Sequence, residues 1–403
     1  MTTYVPVPLE RVQIGKPLPV DIWSPDGRLL LRRHQALLSE AHRDMLGQHK
    51  ACMTETDAQA WQRSLERLMR TLYNEGADML HIAHQMMPSV IEDEDFLPNH
   101  EITGGWMDVQ DVLRGLLYQG ELATSPLPRL QALEDRALAL LTHDPDESLF
   151  VLFQAMPDLH LGYCATHALL TGLVSVLTAE KLSLPLKSRF TLLRAALVMN
   201  IGMARLQDQL TQQKAAPTSA QRQDIDNHAA LGVAMLKALG VQDTSLLDLV
   251  QWHHTPDKFN GDGADLTLVR LLHLADTLTA KMAPRKVRKA MLPLTATKIL
   301  VKQSSPDTAV LRHAMVAALG FYPPGSFVQL ANGEIAVVIA RSTKASSPHV
   351  ASIINASGMP ISAYGYRDTS KPELAVKAAV AAHTVQVKVS LDKVKRLRQL
   401  NGV

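Results

Sequence analysis

The chain has 403 residues, of which 46% are hydrophobic and 20% charged, values typical of a folded globular protein that exclude a largely disordered chain. Its 41 basic and 39 acidic residues leave a net charge of +2, which gives no general electrostatic reason to bind a nucleic acid polymer. The two cysteines, Cys52 and Cys164, are far apart and fit no Cys-x-x-Cys spacing, which argues against a disulfide framework and a thiolate zinc site.

The N-terminal stretch MTTYVPVPLERVQIG lacks the basic region and apolar run of a secretory signal. No segment approaches the roughly 20 apolar residues that are needed to span a bilayer. We therefore expect a cytoplasmic protein with no membrane span.

Alternating apolar and polar residues around the SPDG turn at 24–27 predict a β-hairpin near the N-terminus. Helical spacing follows at 57–76, 78–91 and 107–119. The acidic stretch IEDEDFLPNHEITGG at 91–105 contains Pro98 and two adjacent glycines, and it predicts a linker or a lid.

Nearly every segment between residues 107 and 320 has the 3.6-residue period of a helix. Helices are predicted at 129–142, 146–156, 162–181, 187–200, 219–239, 244–254, 266–282 and 307–318. After FYPPGS the pattern becomes β-rich, with a tight turn at Asn332-Gly333, and the chain ends in a basic tail. The simplest interpretation of that tail is a solvated strand or helix face.

The predicted fold class is therefore mainly α, with an all-helical bundle core flanked by a small N-terminal β/α unit and a small C-terminal β unit. The predicted domains are 1–106, with a β-hairpin and helices, 107–320, the helical domain, and 321–403, a C-terminal β extension with the basic tail.

Two adjacent histidines occur in the sequence VQWHH, at positions 253 and 254. Adjacent side chains on a helix diverge by about 100°. His253 and His254 can therefore serve one site only at a helix end or between two metal ions.

Five candidate metal ligands lie on separate predicted helices or at their ends: His167, His228, His253, His254 and Asp276. Neutral imidazole and carboxylate are common ligands of iron, manganese and zinc. A single histidine is more often a core or surface residue than a metal ligand. The hypothesis of a metal site therefore rests on the order of the five residues along the chain.

That order resembles the HD superfamily of metal-dependent phosphohydrolases, and specifically its HD-GYP branch, which hydrolyses cyclic di-GMP. The resemblance covers residues 140–320. YCATHALLTGL supplies the first helix histidine, His167, NHAALG supplies His228, VQWHH supplies the histidine pair, and LLHLADTLTAK supplies Asp276. The resemblance implies an HD-type helical bundle as the core of the fold.

The namesake His-Asp pair of that family is missing. Where the family has His-Asp-Ile-Gly-Lys, this chain has MNIGM, so that Met199 replaces the histidine, Asn200 the bridging aspartate and Met203 the lysine. A neutral amide cannot hold two cations together as a carboxylate does, so we expect the two-metal centre to be lost. FNGDGADL replaces the Gly-Tyr-Pro loop, and Thr255 replaces the glutamate before it.

The resemblance leaves one set of ligands intact, because His228, His253 and His254 match the residues that the family gathers around one cation. One divalent ion, Fe, Mn or Zn, is the cofactor expected there. In that family, His167 and Asp276 would correspond to ligands of the second metal position, whose other ligands are replaced here by Met199 and Asn200. The alternative is that these histidines are hydrogen-bonded core residues.

Arg285 and Arg288 match the positions at which the family grips the phosphates of its dinucleotide. They are three residues apart in PRKVRKAM, and the helical pattern predicts that they share one helix face, where both guanidinium groups could bind phosphate. The alternative is a solvated basic helix face.

The leading functional hypothesis is a catalytically degenerate HD-GYP-like signalling or scaffold protein in bacterial regulation, which binds a partner protein or a cyclic dinucleotide without turnover. It predicts no catalytic residues. One alternative is a single-metal cyclic di-GMP phosphodiesterase that uses the remaining histidine cluster. Another is a regulatory domain with no small-molecule ligand.

Overall fold

The computed structural model describes residues 4–91, 102, 104–123, 125–302 and 306–403. The chain divides into two compact units, Met1–His100 and Glu101–Val403. Most of the segment predicted as a linker or lid, 91–105, lies outside the described residues. The division of the chain into three domains stays a prediction.

The N-terminal unit contains a four-stranded sheet in the order β1-β4-β2-β3. Its strands are β1 (Tyr4–Pro6), β2 (Ile22–Trp23), β3 (Leu29–Leu31) and β4 (Cys52–Thr54). The predicted hairpin is confirmed, since β2 and β3 pair antiparallel on either side of the SPDG turn. The unit's helices are α1 (Glu40–Gln48), α2 (Glu55–Asn74) and α3 (Met79–Ala83). The last is much shorter than the predicted 78–91.

The second unit is mainly helical, as predicted. Its helices before the C-terminal sheet are α4 (Trp106–Gln119), α5 (Pro126–His143), α6 (Pro145–Ala155), α7 (Tyr163–Lys181), α8 (Leu186–Val198), α9 (Ala204–Gln212), α10 (Ser219–Ala238), α11 (Thr244–Trp252), α12 (Leu266–Met282), α13 (Pro293–Lys302) and α14 (Pro306–Leu319). The sequence patterns missed α9 and α13. None of the helices within the described ranges combines the length and apolar character that crossing a membrane requires.

Helix α7 is the centre of this unit. Every residue from Tyr163 to Ala179 is buried, and the helix packs against α8, α12 and α14. A helix that is apolar on all sides is stable only when other elements surround it. Residues on α7 are therefore held firmly inside the bundle, and His167 is one of them.

A five-stranded antiparallel sheet follows the helices, in the order β8-β7-β6-β5-β9. The strands are β5 (Phe327–Leu330), β6 (Ile335–Ala340), β7 (His349–Ile354), β8 (Pro360–Asp368) and β9 (Val376–Val380). The predicted Asn332-Gly333 turn joins β5 to β6, and Gly333 has a φ of 86°, a conformation that glycine adopts without strain. The basic tail forms α15 (Leu391–Asn401), which buries Val394.

The sheet and α15 pack on α6. Phe150 of α6 belongs to an apolar cluster with Phe327, Val337 and Val394. Asp144 caps the start of α6 by accepting from the Glu147 amide, and it also accepts two hydrogen bonds from Arg398 of α15, at 2.8 and 3.1 Å. Two further ion pairs lie beside it, Arg341–Asp146 and Lys395–Glu147.

Candidate metal centre

The two adjacent histidines converge because α11 ends just before them. The last residue of α11 is Trp252, and His253 is its C-terminal cap. The rings of His253 and His254 lie 4.1 Å apart between centroids, at 42° to one another. The helix end removes the divergence of about 100° that two successive helical side chains would have.

His228 faces this pair from the middle of α10. Its Nε2 atom lies 3.3 Å from Nε2 of His253, and its ring centroid lies 5.0 Å from that of His254. One ligand atom from each of the three histidines lies within 4.8 Å of the other two. His228 and His253 are buried, whereas the side chain of His254 is 45% exposed.

A glycine lets α10 approach closely at this point. A Cβ atom on Gly202 would clash with the carbonyl oxygen of His228. Gly202 is the glycine of the MNIGM segment, so this part of the motif serves the packing of α10. It brings His228 close to the turn Ile201–Met203, which follows α8.

Backbone carbonyls fix the tautomers of the two buried histidines. Nδ1 of His228 donates to the Ile225 carbonyl at 2.5 Å, and Nδ1 of His253 donates to the Val250 carbonyl at 2.7 Å. In the neutral rings, both Nε2 atoms are then unprotonated and direct their lone pairs at each other.

Burial keeps these rings neutral. It lowers the pKa of His253 to about 3, with the neighbouring His254 adding to the effect. Burial also lowers the pKa of His228 and of His254. Protonation is therefore an unfavourable way to relieve the contact between the two Nε2 lone pairs.

The geometry fits a metal ion. Two nitrogens that share a tetrahedral ion at about 2.05 Å lie about 3.3 Å apart, which matches the Nε2 separation of His228 and His253. The Nδ1–H···O=C bonds are the outer contacts that metal-bound histidines usually make. Because His254 reaches the surface, a three-histidine site here would keep a position open to solvent.

His167 and Asp276 lie beside the cluster and bind each other. His167 Nε2 lies 2.8 Å from Asp276 Oδ1, and the Tyr163 hydroxyl lies 3.2 Å from His167 Nδ1. The second oxygen of Asp276 lies 3.8 Å from Nδ1 of His254. Burial opposes ionisation of Asp276, but the hydrogen bond with His167 holds its pKa below the usual value.

The structure thus places all five predicted ligand residues in one neighbourhood, in two groups. The first is the three-histidine cluster, His228, His253 and His254. The second is the His167–Asp276 pair, which belongs to a buried chain of hydrogen bonds with Tyr163. Their role as metal ligands stays a prediction.

The MNIGM segment follows α8 directly. Met199 is fully buried in the main core of the second unit. Asn200 is 4% exposed, and its Oδ1 atom has no hydrogen-bond partner within the described part of the chain. Met203 precedes α9 and is only partly buried. These three side chains supply no carboxylate, imidazole or amine at the positions of the His-Asp-Ile-Gly-Lys motif.

The helical placement of Arg285 and Arg288 is wrong. Helix α12 ends at Met282, because Ala283 precedes Pro284 and a residue before proline is driven out of the helical conformation. The two arginines instead close a tight turn, with reciprocal backbone hydrogen bonds of 2.8 and 2.9 Å. Both side chains are exposed.

The positive charges of this turn affect Tyr163, which precedes His167 by one helical turn. Burial raises the pKa of Tyr163, as does the charge of Asp276, and the charges of Arg285 and Arg288 partly offset this rise. Arg288 also donates to the carbonyl of Ala280, at 2.7 Å, near the end of α12.

Sequence reasoning missed two residues of this neighbourhood. Tyr163 lies one helical turn before His167, and its ring stacks on that histidine with a centroid distance of 5.1 Å. His273 lies three residues before Asp276 on α12 and contacts the His253 backbone at 2.7 Å. Their spacing from candidate ligands by three and four residues was the available signal.

No known family model matches the chain, and no curated protein matches its sequence. Among solved structures, the chain is similar to Bd1817 of Bdellovibrio bacteriovorus, which is described as an HDG"Y"P protein. The two share 14% sequence identity with a TM-score of 0.42, over 78% of this chain and 98% of Bd1817. The functional argument therefore rests on the geometry of the site.

Proposed function

We propose that this protein is an HD-GYP-like signalling or scaffold protein that holds one divalent metal ion and binds a cyclic dinucleotide or a partner protein without hydrolysing a phosphodiester. The metal ligands are His228, His253 and His254. The observation that carries the proposal is the 3.3 Å separation of the Nε2 atoms of His228 and His253, whose Nδ1 protons are both committed to backbone carbonyls.

Two buried lone pairs at this separation repel each other unless a cation lies between them. Protonation is disfavoured by burial, which lowers the pKa of both rings. A divalent ion satisfies both nitrogens at once, and imidazole ligands suit zinc and iron as well as other borderline cations. A cation held there would supply Lewis-acid chemistry.

This chain lacks the ligands that form the second metal position in the family that its sequence resembles. Asn200 offers a neutral amide where a bridging carboxylate is needed, and Met199 offers a thioether. His167 and Asp276 form a hydrogen bond with each other, with 2.8 Å between Nε2 and Oδ1. We infer that a two-metal mechanism, in which two cations clamp the attacking and leaving oxygens, does not operate here.

Anion binding is the second part of the proposal. Arg285 and Arg288 are exposed and lie in one turn. Burial raises the pKa of Tyr163, whose hydroxyl is bonded to His167, and the charges of the two arginines partly offset that rise. This supports a positive potential near the His167–Asp276 pair. Guanidinium groups bind phosphate through charge-assisted hydrogen bonds, so a nucleotide phosphate is the ligand that we propose for this turn.

The alternative function is a single-metal cyclic di-GMP phosphodiesterase. One observation favours it: His254 is 45% exposed, so a metal on the cluster can be reached by a substrate. This candidate shares the metal site with the main proposal and differs from it in turnover.

A combined binding and hydrolysis assay separates the two. The protein is loaded with Mn(II) or Fe(II) and mixed with cyclic di-GMP, with His253→Ala as the site variant and His313→Ala as the control, since His313 is exposed and bonds the carbonyl of Ala309 in its own helix. We expect no turnover above background. Hydrolysis by wild type and His313→Ala that is lost in His253→Ala would establish the phosphodiesterase instead.

A further inference from the structure

We propose that His273 is a positioning residue that sets the direction in which His253 and His254 present their rings to the metal. The inference rests on the metal site proposed above and adds a residue to it. Its basis is a single contact: Nδ1 of His273 donates to the backbone carbonyl oxygen of His253 at 2.7 Å.

The position of that carbonyl gives the contact its effect. The oxygen of His253 belongs to the peptide group that joins His253 to His254, and a peptide group is planar. Fixing this plane constrains the ψ angle of His253 and the φ angle of His254 together. Two ring directions are therefore set by one hydrogen bond.

The plane would otherwise be free to tilt, because it lies at a helix end. The last four carbonyls of an α-helix lack intrahelical partners and need other donors. His253 caps α11, with φ −60° and ψ −21°, and the chain leaves the helix there without a glycine. A donor from a neighbouring helix can hold the carbonyl in place at this point.

Helix α12 supplies that donor and contacts both histidines. His273 and Asp276 are three residues apart on α12, so they occupy the same face. His273 holds the His253 carbonyl, while a carboxylate oxygen of Asp276 lies 3.8 Å from Nδ1 of His254. Helix α12 itself is anchored against the buried helix α7, so its face is a rigid reference for the pair.

His273 does not belong to the metal-ligating set. The group of potential ligand atoms that lies within 4.8 Å comprises His228, His253 and His254. The role assigned to His273 is therefore to orient ligands, and outer contacts of this kind typically change metal affinity by about 10- to 100-fold when they are removed.

Cobalt(II) binding tests the role, since its visible absorption reports ligand geometry and its affinity can be measured by chelator competition. The variants are His273→Leu, which removes the donor, and His273→Asn, whose amide nitrogen stands close to where Nδ1 stood. His313→Leu is the matched control, because His313 makes a 2.8 Å bond of the same type within its own helix. Melting of the metal-free proteins reports folding separately.

We expect His273→Leu to bind cobalt at least about tenfold more weakly, with an altered spectrum. His273→Asn should recover most of the affinity and the wild-type spectrum, and His313→Leu should match wild type. Wild-type affinity and spectrum in His273→Leu would overturn the positioning role while leaving the metal site intact.

A second comparison covers the case in which His273→Leu fails to fold. His273→Gln places its amide nitrogen one bond farther from the backbone than His273→Asn does, so we expect it to bind cobalt more weakly than His273→Asn. Equal affinity of these two variants would overturn the role. If wild type and His253→Ala bind cobalt equally, the proposed metal site itself fails, which is a pattern distinct from an effect confined to His273.

Discussion

The Nε2 atoms of His228 and His253 lie 3.3 Å apart, inside the protein, with no proton available from either neutral ring to bridge them. This relationship links a buried contact to a function, because a divalent cation converts two repelling lone pairs into two ligands.

Metal binding should stabilise the folded chain. The unfolded chain has no preformed cluster, so a divalent ion at about 100 times its dissociation constant should add about 2.7 kcal/mol to the free energy of unfolding. Thermal melting with and without Zn(II), Mn(II) or Fe(II) measures this. The melting temperature of His253→Ala should not respond to metal, and an equal rise in that variant would place the ion elsewhere.

Restoring the missing motif should add a second metal position. In Met199→His with Asn200→Asp, the new imidazole and carboxylate join His167 and Asp276, and we expect the metal content to rise from one ion to two per chain. Met199 is fully buried, so the variant must be checked for folding by circular dichroism. A folded double variant with unchanged metal content would contradict the correspondence of MNIGM with the His-Asp motif.

Nucleotide binding should depend on Arg285. A charge-assisted hydrogen bond contributes about 1.5–3 kcal/mol, so Arg285→Ala should weaken cyclic di-GMP binding by about tenfold or more in calorimetry. Lys289→Ala is the matched control, since Lys289 is an exposed cation in the same segment. Equal affinity in Arg285→Ala and wild type would leave the arginine as a solvated surface charge.

Arg288 should affect stability as well as binding. Its guanidinium donates to the Ala280 carbonyl at the end of α12, and a typical hydrogen bond contributes about 0.5–1.5 kcal/mol net. Arg288→Ala should therefore lower the free energy of unfolding by about that amount, as measured by urea denaturation, whereas Arg285→Ala should leave it nearly unchanged. The reverse order would contradict the capping role.

The Asp144–Arg398 contact should make stability depend on pH. Burial alone would raise the pKa of Asp144, but the hydrogen bonds from Arg398 and the Glu147 amide hold it below its ordinary value of 3.8. A lowered folded-state pKa adds stability above the unfolded pKa, and that stability is lost as the pH falls through the folded value. In urea titrations at pH 6, the free energy of unfolding of the wild type should exceed that of Asp144→Asn. This difference should shrink below about pH 4. A difference that is independent of pH would show that the carboxylate charge contributes nothing.

Strong hydrophobic periodicity made the long helices predictable. Helix α12 was expected at 266–282 and is found as Leu266–Met282. Helix α9, Ala204–Gln212, was missed because glutamines interrupt its apolar pattern, and its stability comes from packing against α7. The error at Arg285 arose from extending a helical pattern across Pro284, which the backbone does not permit.

The members of the site were predictable from the order of His167, His228, His253, His254 and Asp276 along the chain. Their division into a three-histidine cluster and a His167–Asp276 pair was not predictable, because it depends on the hydrogen-bond partners of each side chain. The carbonyls of Ile225 and Val250 orient two histidines, and backbone acceptors leave no mark in a sequence. His273 also escaped notice, because a single histidine on a partly buried helix face has many structural explanations.

The metal content of the purified protein tests the central claim most directly. Elemental analysis should find one divalent ion per chain after dialysis against Zn(II), Mn(II) or Fe(II) and removal of free metal. Chelator treatment should remove it, and neither His228→Ala nor His253→Ala should retain it, while His313→Ala should match wild type. A wild-type chain that keeps no ion, or variants that keep as much as wild type, would contradict the account.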